Sequence, residues 1–129
     1  MTEQALQRGA ESPPAGGPGP AVLAWRGFHA ALAFGFLAAI AEVWRAALTG
    51  RDGRLLRPAL ASLAVEGALV AANGGDCPLG PLGDRIGDEV PLFELVLPPR
   101  AAKAAVPVLG AVTGAGVLAL AVRCRLGLA

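Results

Sequence analysis

The stretch WRGFHAALAFGFLAAIAEVWR, residues 25–45, decides the fold of this chain. It begins with Trp25-Arg26 and ends with Trp44-Arg45, so its two tryptophans are 19 residues apart. As an α-helix this separation covers about 28 Å, close to the hydrocarbon thickness of a bilayer. Tryptophan favours the boundary between lipid and water, and a neighbouring arginine can reach the head groups. The stretch therefore predicts a membrane-spanning helix.

The composition agrees with a membrane protein. Hydrophobic residues make up 54% of the 129 residues and charged residues only 16%, whereas soluble domains carry about 25% charged residues. The net charge of +1, without basic residues interleaved with aromatic ones, argues against a nucleic-acid partner. Two cysteines are too few for a disulfide framework or a cysteine zinc site, so we expect no metal and no other cofactor.

Three long apolar stretches predict an all-α fold, an integral membrane helical bundle with three spans. The spans are expected at about residues 22–48, 55–74 and 104–122, within one domain covering residues 21–125. Residues 1–20 are rich in proline and glycine and lack an apolar face, so we expect them to form a disordered tail.

The connection between the second and third spans, residues 76–100, contains five prolines. Its apolar part, VPLFELVLP at 90–98, is too short to span a bilayer as a helix. It is either a segment on or partly in the membrane surface, or a loop packed against the bundle. A fourth short or re-entrant segment within residues 79–100 remains an alternative to the three-span topology.

The charges of the connections predict the orientation. Residues 45–57 contain four arginines and one aspartate, and two arginines follow the third span. Residues 76–100 contain five acidic and two basic residues. Because lysine and arginine are retained in the cytoplasm, the 45–57 connection and the C-terminus are expected there, and the 76–100 connection outside. The protein is thus expected to be multi-pass in the inner (plasma) membrane.

Glu66 is the only formal charge between residues 58 and 75. A charge in the middle of a span is costly, so this carboxyl group is expected to be paired or protonated. Ser62, Glu66 and Asn73 share one helical face, and Thr113 of the third span lies at about the same depth. We expect Glu66 to hydrogen-bond Thr113 or a backbone carbonyl, serving either as a polar contact between helices or as a proton or cation site.

His29, Asp76 and Cys77, here called the rim group, are expected at one depth near the outer surface. Such residues can bind a transition metal or haem, but their spacing fits no known ligand pattern. A histidine that hydrogen-bonds the neighbouring loop is therefore favoured.

Gly110 and Gly114 form a GxxxG pair in the third span, a pattern that lets two membrane helices approach closely. The chain contains no nucleophile elbow, no HExxH sequence and no phosphate-binding loop, so no catalytic residue is assigned.

The segment CPLGPLG, residues 77–83, resembles a family of small bacterial membrane proteins of unknown function (domain of unknown function 2784). Members carry Cys-Pro-Leu-Thr-Pro-Leu-Glu after a membrane helix, and here Gly80 and Gly83 replace the Thr and the Glu. His29 at the start of the first span and Glu66 in the second also resemble this family. The resemblance implies a compact helical membrane protein without a known activity. The residues that it places at the mouth of the bundle are Cys77, Pro78 and Pro81.

We expect a structural or partner-binding membrane subunit. Three helices bury little surface, so the partners expected besides the lipid bilayer are further copies of the chain, in a homo-oligomer, or a larger membrane complex. The alternative is a small transporter, or a proton or redox component, that uses Glu66 and the pair His29 and Cys77. Enzymatic activity is not expected.

Overall fold

A computed structural model describes residues 16–128, so most of the predicted disordered tail lies outside the described residues. Four α-helices follow one another: α1 (Pro20–Thr49), α2 (Leu56–Ala72), α3 (Gly80–Ile86) and α4 (Pro99–Arg125). A short 3-10 helix, Leu92–Leu95, lies between α3 and α4. No strand occurs from residue 16 to residue 128, which confirms the all-α part of the predicted fold.

Two of the helices, α1 and α4, are long and apolar enough to cross a membrane. They contain the predicted spans 22–48 and 104–122. Helix α4 begins earlier than predicted because Pro99 suits a first helical turn. Proline has no backbone N–H, and an N–H in that turn would have no acceptor within the helix. Helix α2 has 17 residues and does not belong to this pair, so the second predicted span, residues 55–74, stays a prediction.

Helix α1 lies between α2 and α4 and packs along both. The contacts at its two ends show that α4 runs parallel to α1 and that α2 runs antiparallel to both. The small apolar core lies toward the C-terminal end of α1 and consists of Val43, Ala46, Ala47, Leu56 and Leu120.

This arrangement gives the bundle two ends of opposite charge. The basic end comprises the end of α1, residues 50–55 and the end of α4, and it contains the arginine-rich segments. The acidic end comprises the start of α1, residues 73–98 and the start of α4. The fold thus places the 45–57 connection and the C-terminus at one end and the 76–100 connection at the other, as predicted. This placement does not depend on whether lipid or water surrounds the helices.

The basic end is closed by tight packing and hydrogen bonds. The Trp44 indole lies on Gly116 of α4, where an added Cβ would come within 2.9 Å of Trp44 Nε1, and that nitrogen donates to the Val112 carbonyl over 3.1 Å. Arg123 donates to the carbonyls of Ala47 and Leu48 at the end of α1, both over 3.2 Å. A cation at a helix C-terminus satisfies carbonyls that have no partner within the helix.

The close-packed glycine of α4 is therefore Gly116 and not the predicted GxxxG pair. Within residues 16–128, a Cβ added at Gly110 or Gly114 would meet nothing within 4 Å, so neither glycine packs against another of the described helices. Their role in contacts between chains stays a prediction.

Candidate functional site at the acidic end

Arg26 and Asp88 form the strongest polar contact of the acidic end. The guanidinium of α1 makes three hydrogen bonds to the carboxylate, between 2.8 and 3.2 Å. The Asp88 side chain is only 5% exposed, and its bonds to Arg26 hold the pKa of that carboxyl below its ordinary value. This ion pair fixes the segment after α3 against the start of α1.

Two members of the rim group, His29 and Cys77, are in contact. Cys77 Sγ lies 3.5 Å from His29 Nε2, within range of an S–H···N hydrogen bond. Both side chains are half-buried. Burial raises the pKa of the Cys77 thiol. The thiol therefore stays protonated at neutral pH and can donate to the imidazole.

The turn after α2 brings Cys77 to this position. Gly74 and Gly75 have φ values of 73° and 94°, which favour glycine, and they reverse the chain at the end of α2. Asn73 Nδ2 donates to the carbonyls of Asp76 and Cys77 over 3.3 and 3.1 Å. The predicted polar residue Asn73 thus holds the turn and does not face into the bundle centre.

Helix α3 approaches α1 through Gly83. A Cβ added there would lie 3.1 Å from Trp25 Nε1 and 3.3 Å from the Asp88 carbonyl oxygen, so this residue is close-packed. The Trp25 ring in turn lies beside the His29 ring, with their centroids 5.9 Å apart. Any side chain at this position would require Trp25 or the Asp88 carbonyl to move by a few tenths of an ångström.

These contacts surround a cavity of about 300 Å³, which contains all three residues of the rim group in its lining. Its apolar part comes from α1, α4 and the two segments that flank α3: Trp25, Leu79, Val90, Leu92, Phe93 and Val106. Its acidic residues are Asp76, Asp84, Asp88, Glu89 and Glu94. The cavity therefore combines an aromatic, apolar surface with an excess of carboxylates.

Lys103 is the one basic residue in the cavity lining. Asp88 is neutralised by Arg26, while the other four carboxylates of the lining form no ion pair within residues 16–128. Sequence reasoning placed acidic residues in this connection but missed Trp25, Phe93 and Lys103 as cavity residues, because only the fold brings their elements together.

The predicted contact between Glu66 and Thr113 is not formed. Thr113 Oγ1 donates to the Leu109 carbonyl of its own helix over 2.7 Å, and Ser62 Oγ donates to that of Ala59. Glu66 is half-buried, and its carboxyl group takes part in no side-chain hydrogen bond in the described part of the chain. Helices α2 and α4 pack on different sides of α1. Glu66 and Thr113 therefore do not meet, although they lie at about the same depth along the bundle.

A metal site is not assembled at the acidic end. No three histidine, cysteine, aspartate or glutamate side chains are placed to hold one metal ion anywhere in residues 16–128. The pair His29 and Cys77 alone does not provide the four ligands of a structural zinc site.

No family model, curated protein or solved structure matches this chain. The fold and the site therefore have to be interpreted from their own geometry, and the resemblance carried by residues 77–83 stays a prediction.

Proposed function

We propose that the protein is a three-span inner-membrane protein that acts as a structural or partner-binding subunit. The observation that carries this proposal is the exposure of the two longest helices. Within the chain, only 22% of the most apolar stretch of α1 and 11% of that of α4 are buried. Exposed apolar surface on this scale is costly in water and normal in lipid.

The exposure argues against the main alternatives for long apolar helices. A helix in the core of a soluble protein is mostly buried, which neither α1 nor α4 is. A cleaved leader makes no lasting contacts, whereas α1 is the central helix on which α2 and α4 both pack. We therefore assign α1 to the mature membrane domain.

The charge of the two ends supports an orientation with the basic end in the cytoplasm. Helix α2 is the second of the three spans in this topology. Its 17 residues cover about 26 Å, slightly less than the hydrocarbon thickness, a mismatch that local thinning of the bilayer can absorb. Arg57 near its start and Asn73 at its end lie where polar side chains can reach the interface.

The uncovered face of α4 at Gly110 and Gly114 is the surface that we assign to a partner helix, in a homo-oligomer or in a larger membrane complex. Both glycines are open on their Cβ side, so a second helix can approach the α4 backbone closely there. The tight contact with α1 lies at Gly116 instead, so binding at the open pair would leave the fold of the chain intact.

The test is native mass analysis of the protein purified from membranes in mild detergent. We expect a discrete assembly larger than one chain, and we expect Gly114→Leu to dissociate it. Ala111→Leu, which adds a similar side chain at another exposed position of α4, is the matched control and should leave the assembly unchanged. A monomer in every detergent, or equal effects of the two substitutions, would refute the subunit role.

A second candidate function is small-molecule transport or a proton or redox step that involves Glu66 and the pair His29 and Cys77. The cavity at the acidic end favours it, because the pair lies in the cavity lining. Uptake into liposomes that is lost in Glu66→Gln, with folding preserved, would support this candidate. Uptake that is absent, or equal in both proteins, would remove it.

A further inference from the structure

We propose that the cavity at the acidic end binds a small organic ammonium ion that has an apolar, ring-sized body. The subunit role described above makes no use of this cavity. The inference stands on the size of the cavity, on its aromatic surface and on the distribution of charge in its lining.

The volume and the apolar surface favour an organic ligand. About 300 Å³ lies at the lower end of the range for small-molecule sites, which are mostly apolar with a few polar groups. Trp25 and Phe93 contribute aromatic rings to the lining, and Val106 of α4 contributes an aliphatic side chain. Aromatic faces also attract cations through their quadrupole.

The sign of the ligand charge follows from the carboxylates. Arg26 is occupied by its three hydrogen bonds to Asp88 and does not neutralise the rest of the lining. The lining therefore contains four acidic residues that form no ion pair within residues 16–128, and one lysine, Lys103. Charges of one sign around a cavity with apolar walls concentrate the field inside it, which favours a cation and repels an anion.

A bare metal cation fits this cavity less well. Calcium requires six to eight oxygen ligands and magnesium a near-ideal octahedron. Among residues 16–128, no three acidic, histidine or cysteine side chains converge on one point. An ammonium group has no such demand, because it can donate hydrogen bonds to carboxylates on one side while its apolar body covers the aromatic surface.

The experiment compares three probes that share a phenyl ring and differ in charge: 2-phenylethylammonium, 2-phenylethanol and 3-phenylpropionate. Binding to the full chain in phosphatidylcholine nanodiscs is measured by calorimetry, with empty nanodiscs subtracted. We expect the ammonium ion to bind about tenfold more tightly than the alcohol and the carboxylate not to bind, with the ammonium affinity falling as salt is added. Equal affinity of the ammonium ion and the alcohol, or no binding of the ammonium ion, would overturn the proposal.

Variants locate the binding in the cavity. Glu89→Gln and Asp84→Asn should each weaken ammonium binding about threefold to tenfold and leave the alcohol unaffected. Asp52→Asn at the basic end is the control for charge and should change nothing. Val106→Phe should fill the cavity and abolish binding, whereas Val117→Phe, outside the cavity lining, should not. Binding that survives both Val106→Phe and the loss of the two carboxylates would place the ligand elsewhere and contradict the proposal.

Discussion

The two ends of the bundle are held together by different means. At the basic end, Trp44 lies on Gly116, Arg123 caps α1, and the apolar core fills the space between the helices. At the acidic end, an ion pair and a thiol–imidazole contact hold short segments around an open cavity. The basic end is thus close-packed, whereas the acidic end leaves polar groups and free volume around the cavity.

The largest effect is expected from Gly116→Leu. The new side chain would displace the Trp44 indole and break its hydrogen bond to the Val112 carbonyl, and overpacking with a lost bond costs about 2 to 4 kcal/mol. Gly114→Leu, four residues from the open Gly110, is the matched control and should leave the unfolding temperature of the dissociated chain nearly unchanged. Thermal unfolding in detergent, followed by circular dichroism, measures both. Equal losses would show that the basic end is not the tighter one.

A smaller loss is expected when the ion pair of the acidic end is broken by Asp88→Asn. The pKa of Asp88 is lowered in the fold by its bonds to Arg26, so its contribution to stability is present above the ordinary aspartate pKa and is lost as pH falls through the lowered value. The unfolding temperature of the unchanged protein should therefore fall as the pH drops below the ordinary aspartate pKa of about 4, and that fall should be reduced in Asp88→Asn. Asp84→Asn, which removes a carboxylate without an ion pair in the described chain, serves as control. The same pH dependence in both variants would contradict the role of the pair.

Arg123→Ala probes the basic end more mildly. The substitution removes two hydrogen bonds to α1 carbonyls. It also removes Arg123 Nε, which is buried without a partner among the described residues, and this reduces the net loss of stability. We expect a loss of about 1 kcal/mol, measured as above. Arg125→Ala, at an exposed position two residues further along, should lie within experimental error of the unchanged protein. A larger loss in Arg125→Ala would reverse the assignment of the cap.

The smallest effect concerns the thiols, one at each end. Cys77 is half-buried with a raised pKa, whereas Cys124 is exposed. In detergent, where both ends are accessible, Cys77 should react with iodoacetamide about tenfold more slowly than Cys124. Mass spectrometry of the alkylated peptides over time gives the two rates. Equal rates would mean that the acidic end is more open than its contacts indicate.

The long helices are predictable from sequence because their signal is local. Charge-free runs and the paired Trp25 and Trp44 locate α1 and α4 to within a few residues. The structure of the residues between α2 and α4 is harder to predict from the sequence. Helix α3 has only seven residues, and its position depends on contact with α1. Its position is fixed by Gly83 against Trp25, which no periodicity in the sequence reveals.

The polar residues show when the depth of a residue along its helix is enough to predict a contact. Counting turns places His29 level with Asp76 and Cys77, and the fold brings all three into the lining of one cavity, because α1 packs on the end of α2. The same counting fails for Glu66 and Thr113, whose helices lie on different sides of α1. Depth predicts a contact only between helices that are already neighbours.

The most direct test of the account is the labelling of single cysteines with a membrane-impermeant maleimide in bacterial spheroplasts. One protein keeps only Cys124 at the basic end, and the other carries Asp84→Cys at the acidic end in place of both native thiols. We expect Asp84→Cys to be labelled in intact spheroplasts and Cys124 to be labelled only after the membrane is opened. Labelling of both positions in intact spheroplasts, or of neither, would contradict a bundle that crosses the membrane with its acidic end outside.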